Sequence, residues 1–230
     1  IYFLWDPVTM AEQYGVLGPF QNLYLTSPGE SADDWQIKPL LEGLAGGPNL
    51  IPSPDKTTFA INPLEDTNGD GHISTESQNR GFDHPNIHLY SLPTDSLTRV
   101  TSDTPQSMIT LLEDNKVIAY YFDRGLVVLN SDGSLDRQLS PPFSEQTHWI
   151  HPSPDNQQLA INFESGQLHL LTTNSGEARQ ATQDIGGNPV EAVWSPDSQW
   201  LAVAQRLLGQ FFLLDAKTAE VQLILDLGIV

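Results

Sequence analysis

Two similar stretches decide the fold class of this 230-residue chain: IHPSPDNQQLAI at residues 150–161 and VWSPDSQWLAV at residues 193–203. Their Ser-Pro-Asp tripeptides begin at Ser153 and Ser195, 42 residues apart. In a type I turn, serine suits the first position, proline pre-sets φ at the second, and aspartate suits the third. Each turn leads into an apolar run that is typical of a β-strand. The two stretches therefore indicate a repeated strand–turn–strand unit.

Two further copies extend this repeat towards the N-terminus. IPSPDKTTFAI occupies residues 51–61, and a degenerate copy, ITLLEDNKVIAY, occupies residues 109–120 with Glu113-Asp114 in place of Pro-Asp. The residue after each aspartate must open the next strand, and Asn156 tolerates the left-handed backbone region well at this position. The copies repeat about every forty residues, apart from an excess of about 17 residues between the first and the second.

A second pattern follows each copy and consists of a strand, a turn-rich centre and another strand. Asp132-Gly133 and Ser175-Gly176 are typical hairpin connections within it. The four occurrences are NIHLYSLPTDSLTRVT, GLVVLNSDGSLDRQLS, QLHLLTTNSGEARQAT and FFLLDAKTAEVQLIL. Each unit thus holds four short strands, and the connections are too short and too rich in Gly, Pro, Ser and Asn for crossover helices. The sequence predicts an all-β fold, a β-propeller of four-stranded antiparallel blades.

These motifs resemble the TolB-like propellers, whose repeat pairs a W-SPDG-x-x-LA hairpin with an LYxxDxxTGexxxLT hairpin. VWSPDSQWLAVA and HLLTTNSGEARQAT match this repeat closely, and the resemblance covers residues 48–230 as four blades. The chain departs from the pattern in the third blade and lacks Gly after every repeat aspartate. In residues 1–47, the stretches IYFLW, NLYLTS and WQIKPLLEG fit the last three strands of another blade.

The predicted organisation is a single propeller domain over residues 1–230 with five visible blades. Their approximate limits are 1–47, 48–103, 104–143, 144–186 and 187–230. The resemblance implies a six-bladed ring. Either five blades close with the C-terminal LDLGIV acting as a first strand, or the chain is part of a six-bladed ring. The chain opens at Ile1 with what reads as a strand already under way, so we also expect a leader or upstream segment.

Composition and charge exclude several classes of function. The chain has 29 acidic and 10 basic residues, a formal net charge of −19, which argues against binding to nucleic acid or an anionic membrane. There are no cysteines, so disulfides, thiolate metal sites and cysteine nucleophiles are excluded. No apolar stretch approaches the 18 or so residues that a membrane span needs.

The excess residues carry a candidate calcium site. They lie between the second and third predicted strands of the second blade and contain EDTNGDGHISTES, residues 65–77. Oxygen ligands at alternate positions with glycine at the sixth resemble the start of an EF-hand loop. Here these are Asp66, Asn68 and Asp70 with Gly71, followed by the backbone carbonyl of His72 and the hydroxyl of Ser74.

The glutamate that would close an EF-hand loop is missing, because Ser77 stands at its position. TolB-like propellers often carry a related DTNGDG insertion with a later aspartate before the next strand. This resemblance implies that Asp83 closes the site, with Glu76 as the second choice. The alternative is a tight polar turn without metal, since Asn, Gly and Asp dominate turns. We predict a structural calcium clamp that orders a long loop.

No catalytic residue is predicted. G-x-S-x-G, Walker A and H-E-x-x-H motifs are absent from the sequence. His148 and His151 are three apart, which places them on opposite faces of a strand and favours structural roles. His72, His84 and His88 cluster in sequence near the calcium loop, where surface or supporting roles of the side chains are favoured over zinc binding.

The sequence therefore predicts a non-catalytic propeller that binds a protein or peptide partner, with calcium as its cofactor. The resemblance implies a periplasmic or otherwise extracytoplasmic role at the cell envelope, where the partner can be a multi-subunit envelope assembly. Two alternatives stay open: a calcium-dependent hydrolase of the lactonase type, and a scaffold subunit of a larger assembly. No nucleic acid and no membrane insertion are expected.

Overall fold

The computed structural model describes residues 2–8, 20–27, 36–45, 50–65, 84–102, 107–140, 143–145, 147–163, 165–181, 190–205 and 209–227. These residues form 21 β-strands and one short 3₁₀-helix, Glu113–Asn115, and no α-helix occurs among them. The chain divides into two compact units, Ile1–Met108 and Ile109–Val230.

The first two sheets are antiparallel and involve nine strands. These are β1 (Tyr2–Val8), β2 (Phe20–Ser27), β3 (Gln36–Ala45), β4 (Leu50–Pro52), β5 (Thr58–Ile61), β6 (Leu64–Glu65), β7 (His84–Pro85), β8 (His88–Ser91) and β9 (Ser96–Arg99). The first sheet has the order β1-β2-β3-β6-β7, and the second has the order β4-β5-β8-β9. The three predicted strands near the N-terminus thus pair with one another in chain order.

Twelve further strands form three sheets of four. These are β10 (Ser107–Leu111), β11 (Val117–Tyr121), β12 (Gly125–Leu129), β13 (Leu135–Gln138), β14 (Thr147–Pro152), β15 (Gln158–Phe163), β16 (Leu168–Thr172), β17 (Ala178–Gln180), β18 (Val190–Trp194), β19 (Trp200–Gln205), β20 (Gln210–Asp215) and β21 (Val221–Asp226). The third, fourth and fifth sheets each follow chain order. Four of the five sheets are therefore four-stranded and antiparallel, as predicted for propeller blades.

The C-terminal LDLGIV does not begin a new sheet in its first two residues. Leu225 and Asp226 belong to β21 and pair with Phe211 and Gln210 of β20. These two residues end the fourth strand of the fifth sheet, because the hairpin from β20 leads directly into β21.

The three Ser-Pro-Asp turns share one hydrogen-bond pattern. In the fourth sheet, the Ser153 hydroxyl donates to Asp155 Oδ1 at 2.6 Å, and that oxygen also accepts the Gln157 backbone N–H at 3.0 Å. The Ser153 hydroxyl oxygen in turn accepts the backbone N–H of Gln158 at 3.0 Å. The same bonds recur around Ser53 and around Ser195. The repeat aspartates are thus structural acceptors within turns.

The residue after each of these aspartates adopts the left-handed conformation, as expected for Asn156. Its φ is 58° at Lys56, 56° at Asn156 and 60° at Ser198. The third sheet differs, because its Glu-Asp turn is one residue shorter and closes with Leu112 N–H donating to the Lys116 carbonyl. Asp114 and Asn115 both have positive φ there. The loss of Pro and Ser thus changes the turn but keeps the hairpin.

Apolar side chains of the last three sheets form two layers. Layer 3/4 joins the third and fourth sheets and comprises Ile109, Ile118, Tyr120, Leu126, Val128, Leu139, Leu159, Ile161, Phe163 and Leu171. Layer 4/5 joins the fourth and fifth sheets and comprises Ala160, Leu168, Leu170, Ala181, Ala192, Leu201, Val203, Phe212, Leu214, Ala219 and Val221. The fourth sheet is therefore buried on both faces, which explains the nearly continuous apolar run Leu159–Phe163.

Candidate functional site

The predicted calcium-binding segment is described only at its two ends. The ligand candidates Asp66, Asn68, Asp70, His72, Ser74 and Asp83, with the alternative Glu76, lie outside the described residues. At the ends of this segment β6 and β7 pair antiparallel, with Leu64 opposite Pro85 and Glu65 opposite His84. Residues 66–83 therefore leave and re-enter the fold at one two-stranded ladder.

This ladder belongs to the first sheet, although the repeat places the insertion in the second. Leu64 pairs with Ala45 of β3, which attaches β6 to the first sheet. Within the second sheet β5 pairs directly with β8. The insertion thus lies between the second and third strands of the second sheet, as the repeat spacing predicts, without interrupting their pairing.

His151 contacts two tryptophan side chains. Its ring stacks on Trp149 with centroids 4.7 Å apart, and its carbonyl accepts the Trp194 indole N–H at 3.2 Å. Burial lowers the pKa of His151, and a hydrogen bond with the backbone of Ala192 opposes that shift. The side chain of His148 lies outside the described part of the structure.

The described residues contain neither a preformed metal cluster nor a membrane-spanning helix. No group of three or more histidine, aspartate or glutamate side chains among them is arranged to hold a metal ion. Within the same residues no helix is long and apolar enough to cross a membrane.

A cleft with a volume of about 390 Å³ lies beside one face of the fourth sheet, within the second unit. This volume is near the lower end of the range for ligand-binding pockets. One wall is the connection from the third sheet, and the other is formed by β15, β16 and β17. The lining residues are Leu139, Ser140, Phe143, Ser144, Glu145, Ile161, Phe163, Gln167, His169, Leu171, Gly176 and Ala178.

A chain of aromatic rings runs through this cleft. Tyr120 stacks on Phe143 with centroids 5.5 Å apart, and Phe143 meets Phe163 edge to face at 5.2 Å. Phe163 in turn meets His169 edge to face at 5.1 Å. Since Ile161 is opposite His169 in the sheet, the histidine shares its face with apolar residues. The cleft therefore combines rigid aromatic walls with one imidazole.

His169 contributes the least satisfied polar atom of the cleft. Its Nε2 is buried and has no hydrogen-bond partner. Burial lowers the pKa of His169, and the charge of Glu145 opposes this shift. Burial therefore favours the neutral form of the imidazole. Glu145 Oε2 accepts the Ser165 backbone N–H at 3.2 Å, which fixes the carboxylate near the cleft. A ligand group that reached His169 Nε2 would remove the cost of that unpaired atom.

Sequence reasoning did not single out His169, although the repeat contains a signal for it. The corresponding residues of the second, third and fifth sheets are His88, Val127 and Phe212. Each of them pairs with the same repeat position in the second strand of its own sheet, as His169 does in the fourth sheet. A position that accepts valine and phenylalanine is an apolar position. A histidine there is a candidate for a buried polar group.

One face of the fifth sheet exposes large apolar side chains. Val193 is 69% exposed, Phe211 42% and Leu225 46%. They share this face because Val193 pairs with Ala202, Ala204 with Phe211, and Phe211 with Leu225. The equivalent face of the fourth sheet, with Ala160 and Leu170, is 0–1% exposed because the fifth sheet covers it. The exposed face is thus chemically equivalent to a covered one.

Comparison with known proteins gives matches at the level of structure. No family model and no curated protein matches the sequence. An oligogalacturonate lyase from Vibrio parahaemolyticus is 12% identical with a TM-score of 0.63, and another oligogalacturonate lyase, in complex with manganese, is 11% identical with a TM-score of 0.60. Each match covers 89% of this chain and 62% of the other. TolB from Acinetobacter baumannii is 17% identical with a TM-score of 0.50, covering 89% of this chain and 50% of TolB.

The chain thus spans about three fifths of the length of the lyases that it matches. At these identities the likeness concerns the fold. The predicted resemblance and fold class are confirmed: the chain has the fold of the TolB-like β-propellers.

Proposed function

We propose that this chain is a protein- or peptide-binding propeller and that the cleft beside the fourth sheet receives a side chain of the partner. The observation that supports this function is the buried, unpaired Nε2 of His169 inside a cleft walled by Phe143 and Phe163. Aromatic walls with a few convergent polar groups are typical of binding pockets. A cleft open to solvent is accessible to a side chain carried by a peptide.

Selection from a displayed random peptide library tests this function. The cleft variant is Ala178→Trp, because Ala178 lines the cleft at an exposed position and the indole would fill it. The control is Ser131→Trp at an exposed turn outside the cleft. We expect enriched peptides to bind wild type and Ser131→Trp equally and to lose binding to Ala178→Trp. Enriched peptides that bind all three proteins alike would overturn the proposal.

We further propose that residues 66–83 bind calcium through Asp66, Asn68, Asp70, the His72 carbonyl, Ser74 and Asp83, with Glu76 as the alternative closing ligand. The alternate spacing of oxygen ligands supports this proposal. The β6–β7 ladder also supports it, because a closed base fixes both ends of a loop that then wraps one ion. The ion would act as a clamp, since the loop lacks the flanking helices of sensor EF-hands.

Thermal unfolding with calcium and with chelator tests the clamp. Calcium should raise the midpoint in wild type and leave Asp70→Ala unchanged, because ligand binding to the folded state stabilises it. Asp123→Ala, at an exposed turn outside the loop, is the control and should respond like wild type. Identical midpoints with and without calcium in wild type would exclude the clamp.

The cell-envelope location and the scaffold role are proposals with separate support. The envelope location is supported by the resemblance to TolB-like propellers.

The scaffold role is supported by the apolar face of Val193, Phe211 and Leu225, since contiguous exposed apolar surface marks protein contacts. A sheet of a partner protein would fit it, because a β-sheet covers the equivalent face of the fourth sheet. Val193→Asp should then abolish assembly in sedimentation velocity with the partner, and unchanged sedimentation would exclude this contact.

A metal-dependent enzyme is the second candidate function. It is supported by the structural likeness to oligogalacturonate lyases, one of them in complex with manganese. The substrates that test this function are lactones, esters and oligogalacturonates, each with calcium or manganese and then with chelator. Turnover that chelator abolishes would favour the enzyme over the binding propeller. Absence of turnover with all three classes would remove this candidate.

A further inference from the structure

Two groups that line the cleft accept hydrogen bonds without being able to donate through the same atom, the Glu145 carboxylate and one nitrogen of the His169 imidazole, whereas the hydroxyls of Ser140 and Ser144 and the amide of Gln167 can both donate and accept. Glu145 has used one lone pair on the Ser165 N–H, whereas a carboxylate offers about four. His169 carries a buried Nε2 without a partner. A neutral imidazole has one acceptor nitrogen, and Glu145 can accept further hydrogen bonds. Glu145 and the acceptor nitrogen of His169 therefore favour a ligand that is rich in donors.

Among ligands that are rich in donors, the negative charge of the cleft and of the chain favours cations. Glu145 is the charged residue among those lining the cleft. The whole chain has a formal charge of −19, so its long-range field attracts cations and repels anions. A carboxylate that binds a cationic donor forms a charge-assisted hydrogen bond, which is stronger than a neutral one.

The apolar walls restrict the shape of the cation. Phe143 and Phe163 meet edge to face, and Ile161 and Leu171 complete the apolar lining. Aromatic faces attract guanidinium groups, and apolar walls accommodate the methylene stem that carries them. A planar guanidinium with five donors can pair with a carboxylate through two hydrogen bonds and still reach a second acceptor.

We propose that the cleft recognises an arginine side chain of the bound protein or peptide, with Glu145 pairing with the guanidinium, His169 accepting a further hydrogen bond, and Phe143 and Phe163 contacting its face and stem. This inference rests on the proposed binding function and specifies its ligand chemistry. Lysine fits less well because its ammonium is a compact point charge that cannot form the planar two-bond pair.

The test uses fluorescent seven-residue peptides that differ only at the central residue, which is arginine, its neutral isostere citrulline, lysine or leucine. Binding is measured by fluorescence polarisation on the full chain. We expect the arginine peptide to bind about tenfold more tightly than the citrulline peptide, since the pair with a charged group is lost. Glu145→Gln should reduce this ratio to near one, whereas Glu177→Gln, an exposed carboxylate outside the cleft, should preserve it.

Equal binding of the arginine and citrulline peptides, or an unchanged ratio in Glu145→Gln, would overturn the arginine assignment. A leucine peptide that binds best and is lost in Ala178→Trp would overturn it while leaving the binding function intact. If none of the four peptides binds, the arginine assignment fails, and the library selection with Ala178→Trp decides the binding function separately. Circular dichroism of each variant checks that the fold is retained.

Discussion

Layer 3/4 and layer 4/5 are successive copies of one packing unit, and they differ at corresponding positions. In layer 3/4, Tyr120 and Phe163 both contact the Phe143 ring. The residues 42 positions later in layer 4/5 are Asn162 and Gln205, which are 1% and 4% exposed. The side-chain oxygens of both amides are buried without hydrogen-bond partners. The same backbone thus supports an aromatic cluster in one layer and two amide oxygens without hydrogen-bond partners in the next.

The bonds between the sheets are similar in the two layers. Across layer 3/4, Thr110 donates to Asn156 Oδ1 at 2.8 Å, and Arg137 donates to the Thr173 carbonyl at 3.1 Å. Across layer 4/5, the Asp155 N–H donates to the Ser198 hydroxyl at 3.1 Å, and Arg179 donates to the carbonyls of Ala216 and Lys217. The equivalent turn residues and arginines therefore fix the spacing of both layers. The side chains between these hydrogen bonds differ from one layer to the next, and they can form a binding site without changing the spacing of the sheets.

The largest effect is expected for Phe163→Ala in layer 3/4. Phe163 is 6% exposed and contacts two rings of the cleft, so its loss leaves a cavity that costs about 3 kcal/mol or more. The control is Phe122→Ala, where the ring is 64% exposed and the expected cost is within about 0.5 kcal/mol. Urea titration measures both. Similar values for the two variants would show that the aromatic cluster does not hold this layer together.

Gly176→Ala should be the next most damaging change. Gly176 has φ of 72°, and an added Cβ would lie 2.6 Å from the carbonyl oxygen of Leu139, the residue that follows β13. Left-handed backbone costs an L-residue about 1–2 kcal/mol, and the clash adds to it, for a total of about 2–3 kcal/mol. Gly133→Ala, with φ of 83°, isolates the backbone term. If the two variants unfold at the same urea concentration, the close approach across layer 3/4 contributes nothing.

Layer 4/5 should become more stable on Gln205→Met. The substitution keeps the length of the side chain and removes a buried oxygen that lacks a partner, so we expect a gain of about 1 kcal/mol. The control is Gln138→Met, because the Gln138 amide donates to the carbonyls of Arg124 and Ser140 and its loss should destabilise. Destabilisation by Gln205→Met would show that the Gln205 side-chain oxygen is not a destabilising, unpaired group, and the proposed difference between the two layers would then fail at this position.

The smallest effect is a pH dependence that both layers share. Burial lowers the pKa of His169 and of His151 below the ordinary value of 6.5, so the unfolded chain binds protons that the folded chain does not. Their contribution to stability is complete above pH 6.5 and falls as the pH decreases below it. His169→Asn and His151→Asn should each flatten the fall in unfolding free energy on acidification. Parallel pH curves for wild type and both variants would contradict this account.

The sequence predicted the strands and turns well because their causes are local. The Ser-Pro-Asp pattern around Ser153 and Ser195 predicts the turn, and the hydrogen bonds of each turn join residues within five positions of one another. The hairpin glycines Gly133 and Gly176 have the positive φ that their pattern predicts. Such features need no information about distant parts of the chain.

The cleft was not predicted from the sequence, because its parts are distant in sequence. Phe143 and Glu145 come from the connection after the third sheet, while His169 and Ala178 come from β16 and β17. Nothing local marks His169 as a cleft residue, because its neighbours Leu168 and Leu170 belong to layer 4/5 on the opposite face. The predicted calcium ligands Asp66 to Asp83 lie outside the described residues and stay predictions.

The sequence by itself determined the repeat, the four-stranded antiparallel unit and the acidic character, since these depend on turn chemistry, strand periodicity and composition. Only the tertiary structure decided which repeats carry a cleft, which face of the fifth sheet stays exposed, and which buried polar atoms lack partners. The physical reason is that layers form between residues about 42 positions apart, and their fit depends on side chains from two sheets at once. A one-dimensional pattern specifies each sheet, whereas a binding site requires the space that two sheets and their connection leave between them.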